Sequence, residues 1–232
     1  VSSMIEGVLR HCTDMEIKKS YVDSHGQSAI GFAFSYMLGF DLLPRIKAIH
    51  KEKLYRPESG KPEEYPNLQN ILTRPIRWNL IQEQYDQIVK FTTALRLGTA
   101  DAESILRRFT SNNAQHPVYQ ALMELGKAVK TIFLCRYLDS EELRQEVQEG
   151  LNVVESSNSV NDFILYGKAG EISTNRREDQ ELTMLCLHLL QNSLVYINTL
   201  MLQSILSHPQ WEDKLKREDK RAITALFYEH IN

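Results

Sequence analysis

The sequence predicts a mainly α-helical protein with a small α/β part at its start. Three observations carry this reading. A strand–helix–strand pattern runs from Met15 to Ile49, a proline-rich stretch follows at 56–75, and beyond it apolar residues recur at helical spacing almost throughout.

Residues 1–13 read as the end of a helix, with Met4, Ile5, Val8 and Leu9 apolar. From Met15 to Val22 the residues Met15, Ile17, Lys19 and Tyr21 fall on one face, the period of a short strand. Ser24-His25-Gly26 is turn chemistry. From Gln27 the period changes: Ile30, Ala33, Phe34, Met37 and Leu38 recur as on a helix, and Gly39 is placed to stop it. Leu42, Leu43, Ile46 and Ile49 support a second short strand. Two strands joined by a helix within so short a span make a βαβ unit, which requires parallel pairing and a right-handed crossover.

Pro57, Gly60, Pro62, Pro66 and Pro75 mark 56–75 as a linker. Six helices are then expected at about 79–97, 101–110, 116–137, 140–165, 176–206 and 217–229. Asp101 and Asp139 are placed as N-caps, and Asn175 with Glu178 as a capping box for the helix that follows. Leu182–Leu206 is the most apolar long run. It contains His188, Gln191, Asn192, Asn198 and Gln203, so it reads as a central buried helix and not as a bilayer span.

Composition sets limits on function. A chain of 232 residues with 42% hydrophobic content builds a sizeable core, and its net charge of −3 excludes a protein coated in basic charge. Local basic patches remain open. Cys12, Cys135 and Cys186 are an odd number, far apart, with no CxxC or Cys/His spacing; this argues against zinc and for a reducing cytoplasm. Trp78 and Trp211 read as packing residues, with base stacking as the alternative.

The candidate chemistry is acidic. Asp23 ends the first strand, where open α/β sheets place reactive groups; its rival Asp14 lies before the strand. On the 140–165 helix, Leu143, Val147, Leu151 and Val154 form an apolar stripe, while Asn152, Glu155, Ser159 and Asp162 form a polar row. Spacing alone leaves Asp23 as an acidic turn residue and Glu155 as a solvated glutamate. Glu171, in a glycine-containing turn, is the second choice beside Glu155. Arg45, Lys47, His50, Lys51, Lys53 and Arg56 make the densest basic run, suited to DNA phosphates or to a solvated loop. Arg176 and Arg177 open a helix, where phosphate meets free backbone N–H groups. His25 stands two residues from Asp23, either orienting DNA or water or serving only the turn. The turn at Gly167–Gly170 lacks the GxxxxGK[ST] pattern of a phosphate loop.

The segments HCTDMEIKKSYVDSHGQSAIGFAFSYMLGFDLLPRIKAI, KLYRP, EEL followed by EVQEGLNVVESSNSVNDFILYGK, GEISTNRREDQE and LHLLQNSLVYINTLMLQ are long and in order, and the similarity they carry covers essentially the whole chain. Through them the sequence resembles the catalytic domain of the Tn-three family of replicative transposases. The resemblance implies a DDE-type enzyme with a ribonuclease-H-like fold, here partial, and three metal-binding carboxylates. It aligns Asp23 with the second carboxylate and Glu155 with the third. It implies Mg2+ or Mn2+ as cofactor, since hard cations take carboxylate oxygens. It implies transposon-end and target DNA as partners, with His25, Arg45, Lys47, Lys51, Lys53, Arg176 and Arg177 as contacts. A homo-oligomer in the active complex is expected, with no membrane and no small-molecule substrate. The chain then divides into 1–56, a partial α/β segment; 57–138, a helical insertion; and 139–232, a helical C-terminal part. Ala29 departs from the family pattern, which carries an acid there. The family's first aspartate lies on an earlier strand, and only 22 residues precede Asp23, so the chain is expected to begin partway through the catalytic domain and to be inactive alone. A non-catalytic helical DNA-binding or protein-interaction module is the competing expectation.

Overall fold

A short helix, α1 (Ser2–Leu9), precedes the first strand, β1 (Lys19–Val22). β1 pairs in parallel with β2 (Asp41–Pro44), and α2 (Ala29–Leu38) connects them, which is the βαβ unit the pattern predicts. The computed structural model describes residues 1–11, 14–58, 65–165, 171–212 and 214–230. Both strands are shorter than expected. The ladder runs from Lys19 opposite Asp41 to Val22 opposite Pro44. Past Pro44 the Arg45 N–H still reaches the Val22 carbonyl, and Ile46 and Ile49 lie beyond that point.

Local chemistry fixes the ends of α2. The Ser28 hydroxyl accepts from the Gly31 N–H at 3.1 Å, an N-cap. Gly39 takes the left-handed conformation, φ 89°, and returns its N–H to Ser35 and Tyr36. A side chain there would be strained.

The 56–75 stretch holds more order than a linker. β3 (Leu54–Arg56) and β4 (Leu72–Pro75) form a second parallel pair, with an irregular register between Leu54 and Arg56. Strands this short carry too few alternations for periodicity to find, and prolines at their ends look like linker composition. Residues 59–64, with Gly60 and Pro62, lie outside the described residues.

The helices follow the sequence closely: α3 (Trp78–Leu97), α4 (Ala102–Arg108), α5 (Pro117–Asp139), α6 (Glu141–Ile164) and α7 (Arg177–Leu206). Asp101 caps α4 as expected, accepting from Ser104 N–H at 2.8 Å. Asp139 instead ends α5, and the cap of α6 is Ser140, whose hydroxyl accepts from Leu143 N–H at 3.0 Å. Nor does Asn175 cap α7; Thr174 accepts the Arg176 N–H at 3.2 Å. Two short helices, α8 (Pro209–Glu212) and α9 (Arg217–Ala222), close the order, the second ending earlier than the expected 229.

By compactness the chain divides into two units, Val1–Leu151 and Asn152–Asn232, with α6 running from one into the other. The centre of the first unit is α2, buried from Ile30 to Ser35. One side packs Phe34 and Leu38 with Ile81, Ile88 and Leu122. The other packs Phe32 with Leu42, Leu43, Phe133, Val147 and Leu151. α5 approaches α2 so closely that a Cβ on Gly126 would stand 1.7 Å from the Ala29 carbonyl oxygen.

In the second unit, Gln191 donates to the Ser157 hydroxyl at 2.7 Å, joining α6 to α7. Asn198, fully buried, donates to the carbonyls of Ala225 and Phe227 and so fixes the segment after α9. α7 corrects an expectation. It is not a central buried helix: only Leu187, Leu194 and Asn198 are buried, while Leu185 and Leu189 are both 67% exposed. By length and apolar content alone it is long enough to cross a membrane.

Candidate functional site

Parallel pairing brings the carboxyl ends of β1 and β2 to one edge. Asp23 follows β1 at that edge and is exposed. Arg45 follows β2, and its N–H donates to the Val22 carbonyl at 3.0 Å. An acid and a base from neighbouring strands therefore flank each other. The turn after Asp23 is tight: Gly26 N–H donates to the Asp23 carbonyl at 3.1 Å. A Cβ on Gly26 would lie 2.4 Å from a Val22 methyl, so the turn folds back onto the strand only with glycine there.

Lys47, Lys51 and Lys53 are exposed after this edge. Arg56 departs from the expected solvated run. It is half-buried on β3, and its Nε is buried with no hydrogen-bond partner among the described residues. The His25 side chain and the Gly167–Gly170 turn lie outside the described residues.

Glu155 belongs to the second unit and is exposed on α6. The apolar stripe of that helix takes a different line from the expected one. Val147, Leu151 and Val160 are buried, whereas Val154 is exposed beside Glu155. Arg176 and Arg177 are exposed at the start of α7 but paired within it. Arg177 meets Glu181 at 2.7 Å, and Arg176 lies 3.7 Å from both Glu178 and Asp179. Glu171 and Asp14 are exposed outside regular structure. Among the described residues no three His, Cys, Asp or Glu side chains group closely enough to hold a metal ion. Cys135 and Cys186 are free.

Two further ionic clusters shape the first unit. Lys19 and the Tyr21 hydroxyl both donate to one Glu146 oxygen, at 2.5 and 2.6 Å, locking β1 to the first half of α6. Burial, aided by Glu146, pushes the Tyr21 hydroxyl up to about 12, so it stays a donor.

The second cluster was not foreseen. Glu124 on α5 has no exposed surface, yet gathers Arg74, Arg77 and Lys127. Arg74 grips both carboxylate oxygens at 2.9 and 2.5 Å, the Arg77 N–H donates at 3.1 Å, and Lys127 donates at 3.0 Å. Burial alone would raise the acid, but these bonds outweigh it and hold it at about 2. The signal in the sequence was a lone acid among Ala121, Leu122 and Leu125, the apolar side of α5.

Comparison with known proteins adds identity to this geometry. The family described as Tn3 transposase DDE domain matches residues 1–232. The chain is 31% identical over 229 residues to the transposase for transposon Tn1546 of Enterococcus faecium and 30% identical over 230 residues to that for Tn501 of Pseudomonas aeruginosa. The transposase for transposon gamma-delta of Escherichia coli is 29% identical over 230 residues. Each match covers 99% of this chain and 23% of the relative, so the chain spans about a quarter of the length of these relatives. With every residue from 1 to 232 inside the match, the chain belongs to the Tn3 transposase DDE domain family.

Proposed function

We propose that this chain is the later part of a transposase's catalytic domain, acting on DNA by metal-dependent phosphoryl transfer. Asp23 and Glu155 serve as the second and third carboxylates of the DDE set. Water releases the 3′ ends of the transposon, and the freed hydroxyls then attack target DNA. The observation that carries this reading is the placement of Asp23. It stands exposed at the carboxyl end of a parallel strand, beside Arg45 and followed by Lys47, Lys51 and Lys53, within a chain of this family.

The βαβ unit supports a ribonuclease-H-like fold in the parent protein, with 57–138 as a helical insertion between the α/β segment and the helical C-terminal part. Asp23 and Glu155 are oxygen donors, which suits Mg2+ or Mn2+ and not zinc. A bound hard cation supplies activation of the attacking oxygen and stabilisation of the leaving one. Arg45 and the lysines hold phosphates near the carboxylates without reading sequence. His25 orients DNA or water beside Asp23, and Arg176 and Arg177 reach phosphates by exchanging their helix partners. The active protein is a homo-oligomer on DNA in the cytoplasm. Two carboxylates fall short of the family's three, so the 232-residue chain alone joins no DNA.

The test is transposition by the full-length protein carrying Asp23→Asn or Glu155→Gln, with Glu171→Gln as control. Loss of a metal ligand costs more than the roughly hundredfold seen when supporting groups are removed, so both variants fall below that and the control does not. Ordinary activity in Glu155→Gln refutes that assignment, and ordinary activity in both favours a non-catalytic helical module. Metal-dependent joining by the isolated chain would overturn its inactivity.

A further inference from the structure

One carboxylate is neutralised by one cation, but buried Glu124 holds three. Arg74 and Arg77 remain 40% and 52% exposed, so their surplus charge faces solvent from fixed positions. Tyr55 stiffens the arrangement: Arg74 Cζ and Lys127 Nζ lie 5.5 and 5.4 Å from its ring centre. Arg56, opposite Pro75 in the β3–β4 register, adds a further guanidinium, its Nε buried and without a hydrogen-bond partner among the described residues.

Beside these cations stands Trp78, the first residue of α3. The residue is 51% exposed, against the usual burial of tryptophan. It is not loose, because the indole N–H donates to the Pro57 carbonyl at 2.7 Å. A pinned, exposed indole next to two pinned, exposed guanidiniums is the chemistry of a nucleic-acid strand. The cations meet phosphates and the ring offers a stacking face to any base. Fixing these groups before binding removes the entropy cost that flexible surface lysines carry.

The geometry points to a second DNA-binding site on the first unit, built from Arg74, Arg77 and Trp78 around Glu124, that takes a single strand or an unpaired end. Phosphates lie on the arginines and one base stacks on Trp78. This rests on the reading of the chain as a DNA-acting catalytic segment, but uses none of the residues assigned to catalysis.

The chain has two tryptophans, so Trp211→Phe leaves Trp78 as the only indole reporter. Titration of that protein with a thymidine 15-mer is expected to quench its emission, and a duplex of equal length is expected to quench it less. By the anisotropy of an end-labelled 15-mer, Trp78→Ala is expected to weaken single-strand binding roughly tenfold. Arg77→Gln is expected to reduce the salt slope of log K by about 0.7, the loss of one phosphate contact. Circular dichroism of both variants should match the parent chain. No quenching by either DNA overturns the site, and so do unchanged affinity and salt slope in both variants. In that case the patch is a protein contact. The catalytic reading fails separately: Asp23→Asn should abolish transposition by the full-length protein while leaving the Trp78 quench of the chain intact. Normal transposition by Asp23→Asn would sink that reading and not this site.

Discussion

Glu124 faces the core side of α5, where an unpaired carboxylate would not ionise. Its three cationic partners reverse that, and the reversal has a pH signature. The folded-state value of about 2 lies below the ordinary 4.5, so ionised Glu124 stabilises the fold above pH 4.5. That contribution, about 3 kcal/mol by the size of the shift, is lost as pH falls from 4.5 toward 2. Glu124→Gln should lower the urea midpoint at pH 7 and flatten the fall in stability between pH 5 and pH 2. An unchanged pH profile would mean the cluster contributes nothing to folding. At this scale legibility was uneven. The place of Asp23 at the end of β1 was legible because a strand end followed by Ser24-His25-Gly26 is a local pattern. Glu124 was missed because its partners Arg74 and Arg77 lie 50 and 47 residues away, beyond any local spacing.

Among elements, the α2–α5 contact governs the first unit. α2 is apolar nearly all round, so it must be covered on both sides, and α5 covers one side through Gly126. Because the atom a Cβ would strike is backbone oxygen, no side-chain rotation relieves it. Gly126→Ala should therefore destabilise the chain by about 3 kcal/mol, the upper part of the range for overpacking. Gly7 in α1 is the control, since a Cβ there meets nothing within 4 Å. Gly7→Ala should raise stability by about 0.5–1 kcal/mol through helix propensity. Equal effects of the two, measured by urea denaturation, would show that the close approach is not rigid. The long helices were legible because three or more turns repeat the apolar period and their caps are local. The β3–β4 pair was not, because its pairing is set by tertiary packing against α5 and not by alternation within so few residues.

For the whole molecule, the informative quantity is where apolar surface ends up. The hydropathy of 182–206 was plain in the sequence, and its helical state follows from it. Its burial does not follow, because burial depends on what packs against the helix. In the second unit α7 meets α6 through Gln191 and the final segment through Asn198, which leaves Leu185, Leu189, Leu190, Tyr196 and Ile197 exposed. That row exceeds the scattered apolar residues of an ordinary protein surface. The native chain should bind a dye specific for apolar surface in the absence of denaturant. The paired substitution Leu185→Glu with Leu189→Glu should cut that binding by about half while leaving the helical circular dichroism unchanged, because neither side chain supports the fold. Loss of helix in the pair would mean that these leucines are core after all, as their hydropathy alone suggests. Absence of dye binding by the native chain would mean that the face is already covered, and a change of elution volume in the pair would identify another copy of the chain as the cover.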